Sequence, residues 1–471
     1  MLTKTDYLLF LEAPLHLWAK KHDQLEQISP SQYDLHLMEQ GRTIEKLAQE
    51  HLEHQLKTST TSLELTFQHL VTDGNFLARL DALVYDPAAQ AYDIYEIKSA
   101  SSLKKEHYFD AAFQRLVAEA NFTVRHTYLV HVNKDYTRQG ALDLDQLFQI
   151  VNVDEETEQL RQEILEGRKA AWQTASLNSR DGIEECLKPK TCPCPSLCHP
   201  DLPDYSIFDL PRLHYKKARQ LKSQGVLAIQ NIPDDFPLSD IQKNHRRVVK
   251  SKHPIINHYE IQSALDQMVY PLYFLDYETY NPAVPEYDHY HPYQHVTFQY
   301  SLDVFQTPEA QPIHHEFLAI GDEDPAKPLL EHLLPRIGAQ GSVIVWNKSF
   351  EAGRNKDMAG LYPEYASQLE NMNARIFDLM EIFSKGSFIH PDFHGSASIK
   401  NVLPVMVEDL NYEGLPIPKG DEAMVAWVAL TRGQLSPDEI EQTRKDLLQY
   451  CALDTLAMVK IWQALRQLVT G

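Results

Sequence analysis

Four acidic residues and a tyrosine in the C-terminal half stand where they could converge on a pair of metal ions. Asp276 and Glu278, in YFLDYETY, are spaced i and i+2 near the end of an apolar strand, so both side chains leave the same face. Glu351 follows a second strand, and Tyr450 and Asp454 are spaced i and i+4 on one side of a helix. Such acids can hold two metal ions about 4 Å apart, one activating water and one stabilising the leaving oxygen of a phosphodiester. Tyr450 would orient or help deprotonate the water.

A second set of charged residues lies in the N-terminal part. Asp81 sits inside the apolar strand LARLDALVYD, and Glu96 and Lys98 share one face of the strand YEIKS because side chains alternate. Two adjacent hairpin strands can bring Asp81 beside Glu96, where the carboxylates could hold Mg²⁺. Lys98 could then stabilise charge developing on a scissile phosphate or help position a water. Ordinary charges at strand edges would produce the same short pattern.

Thiols are concentrated in one short segment, which predicts a metal site. Four of the five cysteines of the chain are Cys186, Cys192, Cys194 and Cys198. Their spacing, C-x5-C-x-C-x3-C, lacks the C-x2-C pair usual in zinc sites, and it fits a [4Fe–4S] cluster better. Zinc, a partial site and no metal remain the alternatives. His199 could replace Cys194 as a ligand if that thiol faces away.

Three further residues are candidates for contact with substrate. Asn347 precedes Glu351 after the second strand, and Ser398 and Lys400 lie in GSASIKNVLP. The serine and lysine could touch a substrate phosphate. A plain helix start with Ser398 as its N-cap explains the same sequence equally well.

The elements that must position these residues alternate between strand and helix patterns, which predicts an α/β chain. At 471 residues the chain is long enough for two or three domains. We predict an α/β domain at residues 1–200 that ends in the cysteine segment, a helical linker at residues 201–268, and a second α/β domain at residues 269–471.

Charge and hydropathy limit the functional classes. The net charge of −22 argues against a phosphate backbone as partner, yet two local basic strips, HYKKARQLK and KNHRRVVKSKH, keep nucleic acid open. No stretch approaches the roughly eighteen apolar residues that span a bilayer. The N-terminal apolar run lacks a small-residue cleavage site. We therefore expect a soluble, cytoplasmic protein with no membrane partner, and the sequence leaves any protein partners unidentified.

The N-terminal pattern resembles the PD-(D/E)xK nucleases, in particular the RecB-type branch that includes CRISPR-associated iron–sulfur exonucleases. The resemblance covers the EIK triplet, GRTIEKLAQ, FDAAFQRLV and the cysteines, with Leu80 where the superfamily has a proline. It implies a restriction-endonuclease-like fold. It also assigns Glu45, Asp81 and Glu96 as metal ligands, Lys98 as catalytic base or electrostatic helper, and Gln114 as a supporting residue.

Iron–sulfur members of that branch usually supply one cysteine near the N-terminus and three after the nuclease core. In FLEAPLHLW, the corresponding place here, Ala13 precedes Pro14 and no cysteine occurs. The resemblance therefore implies Cys186, Cys192 and Cys198 as ligands, with Cys194 as a local replacement for the missing one.

The C-terminal pattern resembles the DEDD 3′–5′ exonucleases of the tyrosine subclass, with their RNase H-like fold. Glu351 stands where most of that superfamily has Asp. Taken whole, the chain resembles a bacterial family of unknown function that joins a RecB-like nuclease to a DEDD-like domain. The resemblance implies a Mg²⁺- or Mn²⁺-dependent nuclease acting on DNA in preference to RNA, in DNA repair or defence. The alternatives are an RNA exonuclease, a nucleic-acid-binding protein with one or both sites inactive, and an active C-terminal exonuclease beside an N-terminal DNA clamp.

Overall fold

The chain folds into two compact units, each containing helices and a β-sheet. The computed structural model describes residues 1–27, 29–57 and 62–470. Unit 1 comprises Met1–Pro200 and Pro282–Gln294, and unit 2 comprises Asp201–Asn281 and His295–Gly471. The prediction of a mixed α/β chain is confirmed. Residues 201–268, which the sequence predicts as a linker, lie within unit 2.

Unit 1 is built on a six-stranded sheet with helices on both faces. Its strands are β1 (Leu2–Thr3), β2 (Glu64–Asp73), β3 (Phe76–Asp86), β4 (Ala91–Lys98), β5 (Val124–Val132) and β6 (Phe148–Asn152). Its helices are α1 (Lys4–Glu12), α2 (Pro14–Lys21), α3 (Gln32–Lys57), α4 (Lys105–Glu119), α5 (Leu144–Leu147), α6 (Asp154–Ala175) and α7 (Pro195–Cys198).

Strand β3 organises the sheet of unit 1. It pairs with β2 along most of its length, with β1 near its start and with β4 near its end. Strand β4 then pairs in parallel with β5, and β5 pairs antiparallel with β6. Apolar residues of α1, α4 and α6, among them Tyr7, Phe113 and Ile164, cover one face. Helix α3 covers the other face with Ile44 and Leu52.

Unit 2 is built on a five-stranded sheet, with a separate two-stranded sheet beside it. Its strands are β7 (Ile255–Ile256), β8 (Leu272–Tyr280), β9 (Val296–Phe305), β10 (Ile313–Leu318), β11 (Ser342–Val345), β12 (Ile376–Asp378) and β13 (Phe388–Ile389). Its helices are α8 (Tyr215–Ser223), α9 (Asp240–Ser251), α10 (His258–Leu265), α11 (Ala326–Leu333), α12 (Lys348–Leu361), α13 (Ala366–Ala374), α14 (Glu381–Ser384), α15 (Ile399–Met406), α16 (Gly420–Thr431) and α17 (Pro437–Thr470).

The main sheet of unit 2 has the order β10-β9-β8-β11-β12, with β8 at its centre. Strands β10, β9 and β8 are antiparallel, and β8, β11 and β12 are parallel. Leu275 and Tyr277 face a core formed with α11, α12 and α13. Phe274 points to the opposite face, where it packs on Trp462 of α17. Helices on both faces bury the central strand, which explains its almost continuous run of apolar residues.

The described residues contain no helix that combines the length and apolar character needed to cross a membrane.

Candidate functional site

The first candidate site forms where α17 lies against the centre of the unit 2 sheet. Asp276 and Glu278 alternate with Leu275 and Tyr277 along β8, so their side chains point to the face that α17 covers. Glu278 is buried, and its register partner on β9 is Gln299. A charged pair in the middle of a buried strand costs free energy unless it has a partner of opposite charge.

Helix α17 brings three polar side chains to these two acids. Tyr450, Cys451 and Asp454 are all buried. Cys451 Sγ lies 3.7 Å from Asp276 Oδ2. The ligand atoms of Asp276, Glu278 and Cys451 all lie within 4.8 Å of one another, which is compact enough for a shared ion. Cys451 therefore faces this site in addition to packing in its helix as a small hydrophobic residue.

Glu351 joins the cluster from the first turn of α12. Its side chain is 3% exposed, and its Oε2 has no hydrogen-bond partner among the described residues. The parallel pairing of β11 with β8 places the start of α12 at the same edge of the sheet as Asp276 and Glu278. A buried carboxylate oxygen without a partner is what a cation site requires of its ligands.

The acids of this cluster repel one another electrostatically. Burial, and then the charges of Asp454 and Glu278, raise the pKa of Asp276 well above its ordinary value. Burial likewise raises the pKa of Glu278 well above its usual range and that of Glu351 to about 8. Asp454 reaches a pKa of about 6 through burial, although hydrogen bonds from Tyr412 and Tyr450 oppose the rise. A divalent cation would relieve this repulsion, and carboxylate oxygens suit Mg²⁺ or Mn²⁺. The residues therefore fit such an ion.

Tyr412 is a residue of this site that the sequence did not reveal. Its hydroxyl donates a hydrogen bond of 2.5 Å to Asp454 Oδ1. It lies in the irregular segment LNYEGLPIPKG, where no periodic pattern marks it as functional. Burial, followed by the charge of Asp454, raises the pKa of Tyr450 far above its ordinary value, so both phenols stay protonated. Both tyrosines therefore donate hydrogen bonds to the carboxylate of Asp454.

Lys400, on α15, lies near the rings of both tyrosines. Its Nζ lies 5.2 Å from the ring centre of Tyr412 and 5.5 Å from that of Tyr450, and it donates to the carbonyl of Pro418 at 2.7 Å. Its positive charge opposes the rise in the pKa values of Glu278 and Asp454, which burial nonetheless keeps above their ordinary values. Lys400 is thus the cation that balances part of the acidic cluster.

The other two predicted substrate contacts lie at exposed helix starts. Asn347 is the N-cap residue of α12, and Ser398 is the N-cap residue of α15. Neither side chain makes a capping hydrogen bond, and both residues are exposed at these helix N-termini. In the described part of the chain, neither side chain forms a hydrogen bond with the acidic cluster.

The second candidate site lies in unit 1, between β3, β4 and α4. Asp81 Oδ2 accepts a hydrogen bond of 3.0 Å from the Ile97 amide, which ties β3 to β4 beside Glu96. Glu96 is 1% exposed, and its Oε1 accepts from Lys98 Nζ at 2.7 Å. Lys98 Nζ also pairs with Asp110 of α4. The structure therefore brings Asp81, Glu96 and Lys98 together as the sequence predicts.

A second lysine, absent from the sequence-based prediction, occupies this site. Lys4 Nζ lies 2.5 Å from Glu96 Oε1 and 3.5 Å from Asp110 Oδ2. A capping box formed by Thr3 and Asp6 starts α1 and holds Lys4 in its first turn. Two ammonium groups thus share one carboxylate, an arrangement that stabilises its ionised form.

Two glutamine amides, those of Gln68 and Gln114, connect residues at the border of the unit 1 site. Gln68 Nε2 donates to Glu45 Oε1 at 2.6 Å and reaches Asp81 Oδ1 at 3.4 Å. Gln68 has a positive φ of 53° inside β2, a strained conformation for a residue with a side chain. Gln114 Nε2 donates to Asp110 Oδ1 at 2.9 Å. Gln114 therefore supports Asp110, and among the described residues Gln68 is the hydrogen-bonding link between Glu45 and Asp81.

The acids of the unit 1 site have pKa values shifted in opposite directions. Burial, and then the charge of Glu96, raise the pKa of Asp81 to about 7. Burial opposes ionisation of Glu96, but the charges of Lys98 and Lys4 outweigh it and hold its pKa far below the ordinary value. Burial also opposes the charge on Lys98, which Glu96 and Asp110 nonetheless keep protonated with a raised pKa. Glu96 Oε2 is buried and unpartnered among the described residues, so one ligand position is left for an oxygen-seeking cation.

The cysteine segment packs against α2. Cys186, Cys192, Cys194 and Cys198 are all buried, beside Leu15 and Trp18. Burial raises the pKa of the Cys192 thiol to about 12. Within the described parts of the chain, the structure forms no disulfide among these cysteines. Several thiols gathered in an apolar pocket suit a thiophilic metal such as zinc or iron, so the donor set fits the expected cofactor class.

The comparisons with known proteins name a domain but no activity. Residues 273–398 match a family described as a domain of unknown function, DUF2779, which contains Asp276, Glu278 and Glu351. The chain is 30% identical over 216 residues to the uncharacterized protein MG366 homolog of Mycoplasma pneumoniae, covering 42% of this chain and 32% of that protein. It is 26% identical to the uncharacterized protein MG366 of Mycoplasma genitalium over 216 residues, with the same coverage of 42% and 32%. The chain spans about a third of the length of these curated relatives. No solved structure matches the chain at a significant level.

Proposed function

We propose that unit 2 is a metal-dependent nuclease domain with an RNase H-like fold that shortens nucleic acids from their 3′ ends. One observation carries this proposal. Three buried acids, Glu278, Glu351 and Asp454, and the half-buried Asp276 lie in a mutually repelling cluster beside Tyr450. Burying several carboxylates without a cation is costly, so a divalent metal site explains the cluster best. The order of three antiparallel and two parallel strands supports the RNase H-like assignment.

The residues of unit 2 would divide the chemistry among them. Mg²⁺ or Mn²⁺ would lower the pKa of water and stabilise the leaving oxygen when bound. The ions would be held by the acids at positions 276, 278, 351 and 454. Tyr450 would orient the attacking water through its hydroxyl, and Lys400 would attract a phosphate of the substrate. Asn347 and Ser398, at exposed helix N-termini, would contact the nucleic-acid backbone.

We propose a second nuclease site in unit 1, of the PD-(D/E)xK type. Asp81, Glu96 and Glu45 would hold a divalent cation, Lys98 would act as base or electrostatic helper, and Gln114 would support Lys98 by orienting Asp110. The shared network of Lys98, Glu96 and Asp110 supports these roles. A cation would bind Glu96 through Oε2, for which the described residues supply no hydrogen-bond partner, since Lys4 and Lys98 occupy Oε1.

One observation favours a second candidate function for unit 1. Two lysines already neutralise Glu96, and the unit 1 acids do not form a group with all ligand atoms within 4.8 Å among the described residues. A site filled by ammonium groups can bind phosphate without hydrolysing it. Unit 1 would then be a nucleic-acid clamp that serves the exonuclease of unit 2.

We propose DNA as substrate in preference to RNA, with a role in DNA repair or defence inside the cell. Helices α8 and α9 expose Lys216, Arg219, Lys243 and Arg247 despite the net charge of −22. Such local basic surface is what phosphate backbones bind.

Incubation of the full-length protein with labelled single-stranded DNA, double-stranded DNA and RNA in Mg²⁺ or Mn²⁺ tests these proposals. We expect metal-dependent shortening from the 3′ end that Asp276→Asn abolishes. The matched control is Asp438→Asn, an exposed acid at the start of the same helix that carries Asp454, and it should leave the activity unchanged. Activity that survives Asp276→Asn but is lost with Asp81→Asn assigns catalysis to unit 1. A wild-type protein that degrades none of these substrates refutes the nuclease proposal, and degradation of RNA alone refutes DNA as substrate.

A further inference from the structure

A histidine from α2 completes the donor set of the cysteine segment. His16 is 3% exposed, and its Nε2 lies 3.4 Å from Cys192 Sγ. The ligand atoms of His16, Cys186, Cys192 and Cys198 all lie within 4.8 Å of one another. His16 follows Ala13 by three residues, so the N-terminal segment that lacks a thiol still delivers a metal-binding side chain.

We propose that His16, Cys186, Cys192 and Cys198 form a closed tetrahedral site for a single zinc ion. This inference goes beyond the proposed nuclease function and does not rest on it. The site has the Cys₃His composition of structural zinc sites, and every ligand is buried, so no open coordination position is left for a substrate.

The distances within the site favour one ion over a cubane. Around a single tetrahedral zinc, a nitrogen and a sulfur ligand lie about 3.5 Å apart and two sulfur ligands about 3.8 Å apart. The His16–Cys192 separation is 3.4 Å, and no two of the four ligand atoms lie more than 4.8 Å apart, which is compatible with this scale. A [4Fe–4S] cluster binds each protein ligand at a different iron atom and therefore holds its ligands farther apart.

The second ring nitrogen of His16 faces a carboxylate. His16 Nδ1 lies 3.7 Å from Oε2 of Glu12, the last residue of α1, and it has no hydrogen-bond partner among the described residues. Metal-bound histidines usually direct their other N–H to a carboxylate or carbonyl, which fixes the tautomer and leaves Nε2 as the ligand. Glu12 is the nearby carboxylate that could accept this N–H, and Nε2 already faces the cysteines.

Two neighbouring donors lie outside the group of four. Cys194 Sγ is 3.8 Å from Cys198 Sγ, a separation that two zinc ligands could also have, but Cys194 does not belong to the group whose ligand atoms all lie within 4.8 Å of one another. His199 Nε2 is 3.1 Å from Cys186 Sγ. The His199–Cys186 distance is short for two ligands of one zinc ion and suits a hydrogen bond to the sulfur. Cys194 and His199 thus provide matched controls, one thiol and one imidazole, for the proposed ligands.

The zinc ion would fasten α2 to the segment that follows α6. Backbone hydrogen bonds already join them, from the Leu15 amide to the Glu184 carbonyl at 3.1 Å and from the Glu26 amide to the Pro193 carbonyl at 2.9 Å. A zinc ion bound by both His16 and Cys192 would close a loop of well over a hundred residues. Such a long loop would strongly restrict the unfolded chain.

Metal analysis of the full-length protein tests the site. We expect about one tightly bound zinc per chain that survives dialysis against a mild chelator, no acid-labile sulfide, and loss of that zinc in His16→Ala and Cys192→Ser. Cys194→Ser and His199→Ala should keep it. Because His16→Ala could fail to fold, His16→Cys provides a second measurement. It should retain one ion, and the Co²⁺-substituted form should shift its absorption toward that of a four-thiolate site.

Several results would overturn the inference. Iron with labile sulfide in the wild type, or no bound metal, excludes a zinc site. Zinc retained by a folded His16→Ala variant, or zinc lost from Cys194→Ser or His199→Ala, excludes this ligand set. An unshifted Co²⁺ spectrum in His16→Cys excludes residue 16 as a ligand. None of these readouts depends on nuclease activity, so failure of the nuclease proposal leaves them interpretable.

Discussion

Replacing Glu351 by glutamine should stabilise the metal-free protein at alkaline pH. Glu351 is 3% exposed, and burial, followed by the charge of Asp378, raises its pKa to about 8 from an ordinary 4.5. Glutamine keeps the shape of the side chain but removes the charge. A buried carboxylate that serves as a cation ligand destabilises the folded protein when the cation is absent. Replacing this carboxylate by an amide should therefore raise the free energy of unfolding.

The sign and size of the effect follow from the two pKa values. Below about pH 4.5 the carboxyl is protonated in both folded and unfolded chains, and the substitution should change little. Between about pH 4.5 and pH 8 only the unfolded chain ionises, so the wild type loses stability as the pH rises. The pKa difference corresponds to roughly 4–5 kcal/mol, and partial entry of water into the site should reduce this to roughly 2–4 kcal/mol. Above about pH 8 the difference should stay constant.

Urea unfolding followed by tryptophan fluorescence measures this difference, because Trp346, Trp427 and Trp462 all lie in unit 2. The wild type, Glu351→Gln and the control Glu370→Gln, an exposed acid on α13, would be compared at about pH 5 and about pH 9 in chelator. The same series with Mn²⁺ should stabilise the wild type more than Glu351→Gln.

Two outcomes would refute the reasoning. Suppose that Glu351→Gln were no more stable than the wild type in chelator at alkaline pH. The claim that Glu351 carries a buried, uncompensated charge would then be wrong. If Mn²⁺ stabilised both proteins equally, Glu351 would not be a ligand.

Three further predictions concern the two sites and the backbone. Tyr450→Phe should lower kcat of the unit 2 exonuclease by about 10²-fold with little change in KM, and a KM effect alone would argue against a role in orienting water. Because the pKa of Asp81 is raised to about 7, a proton competes with the metal below that pH, so cleavage by unit 1, measured with unit 2 inactivated, should rise with pH through about 7. A flat profile would exclude Asp81 as a ligand. Gly341→Ala should destabilise unit 2 by roughly 2 kcal/mol or more in urea unfolding, because φ is 91° and a Cβ would lie 2.1 Å from a backbone oxygen. Gly353→Ala, in open space on α12, should instead be neutral or slightly stabilising.

Local periodicity accounts for the part of the candidate sites that the sequence could predict. The i, i+2 spacing of Asp276 and Glu278 and the i, i+4 spacing of Tyr450 and Asp454 determine which side chains share a face once the strand and helix form. The alternation of Glu96 and Lys98 works in the same way. These relations span a few residues, so they survive any arrangement of the elements.

Residues that join a site singly from a distant segment carry no such pattern. Lys4 meets Glu96 across 92 positions of sequence, Tyr412 meets Asp454 across 42, and His16 meets Cys192 across 176. Each is one polar residue in a helix turn or an irregular segment, where a solvent-exposed role explains its type equally well. Only the packing of α1, of the segment before α16 and of α2 reveals their partners.

The sequence by itself determined the mixed α/β class, the faces on which the acids lie and the gathering of thiols in one segment, because these depend on periodicity and composition. The tertiary structure decided which acids share a cluster, that a second lysine fills the unit 1 site, and that a histidine approaches the cysteines. It also placed residues 201–268 within unit 2. These features depend on contacts between elements far apart in the chain, and such contacts are set by the burial of apolar faces rather than by local spacing.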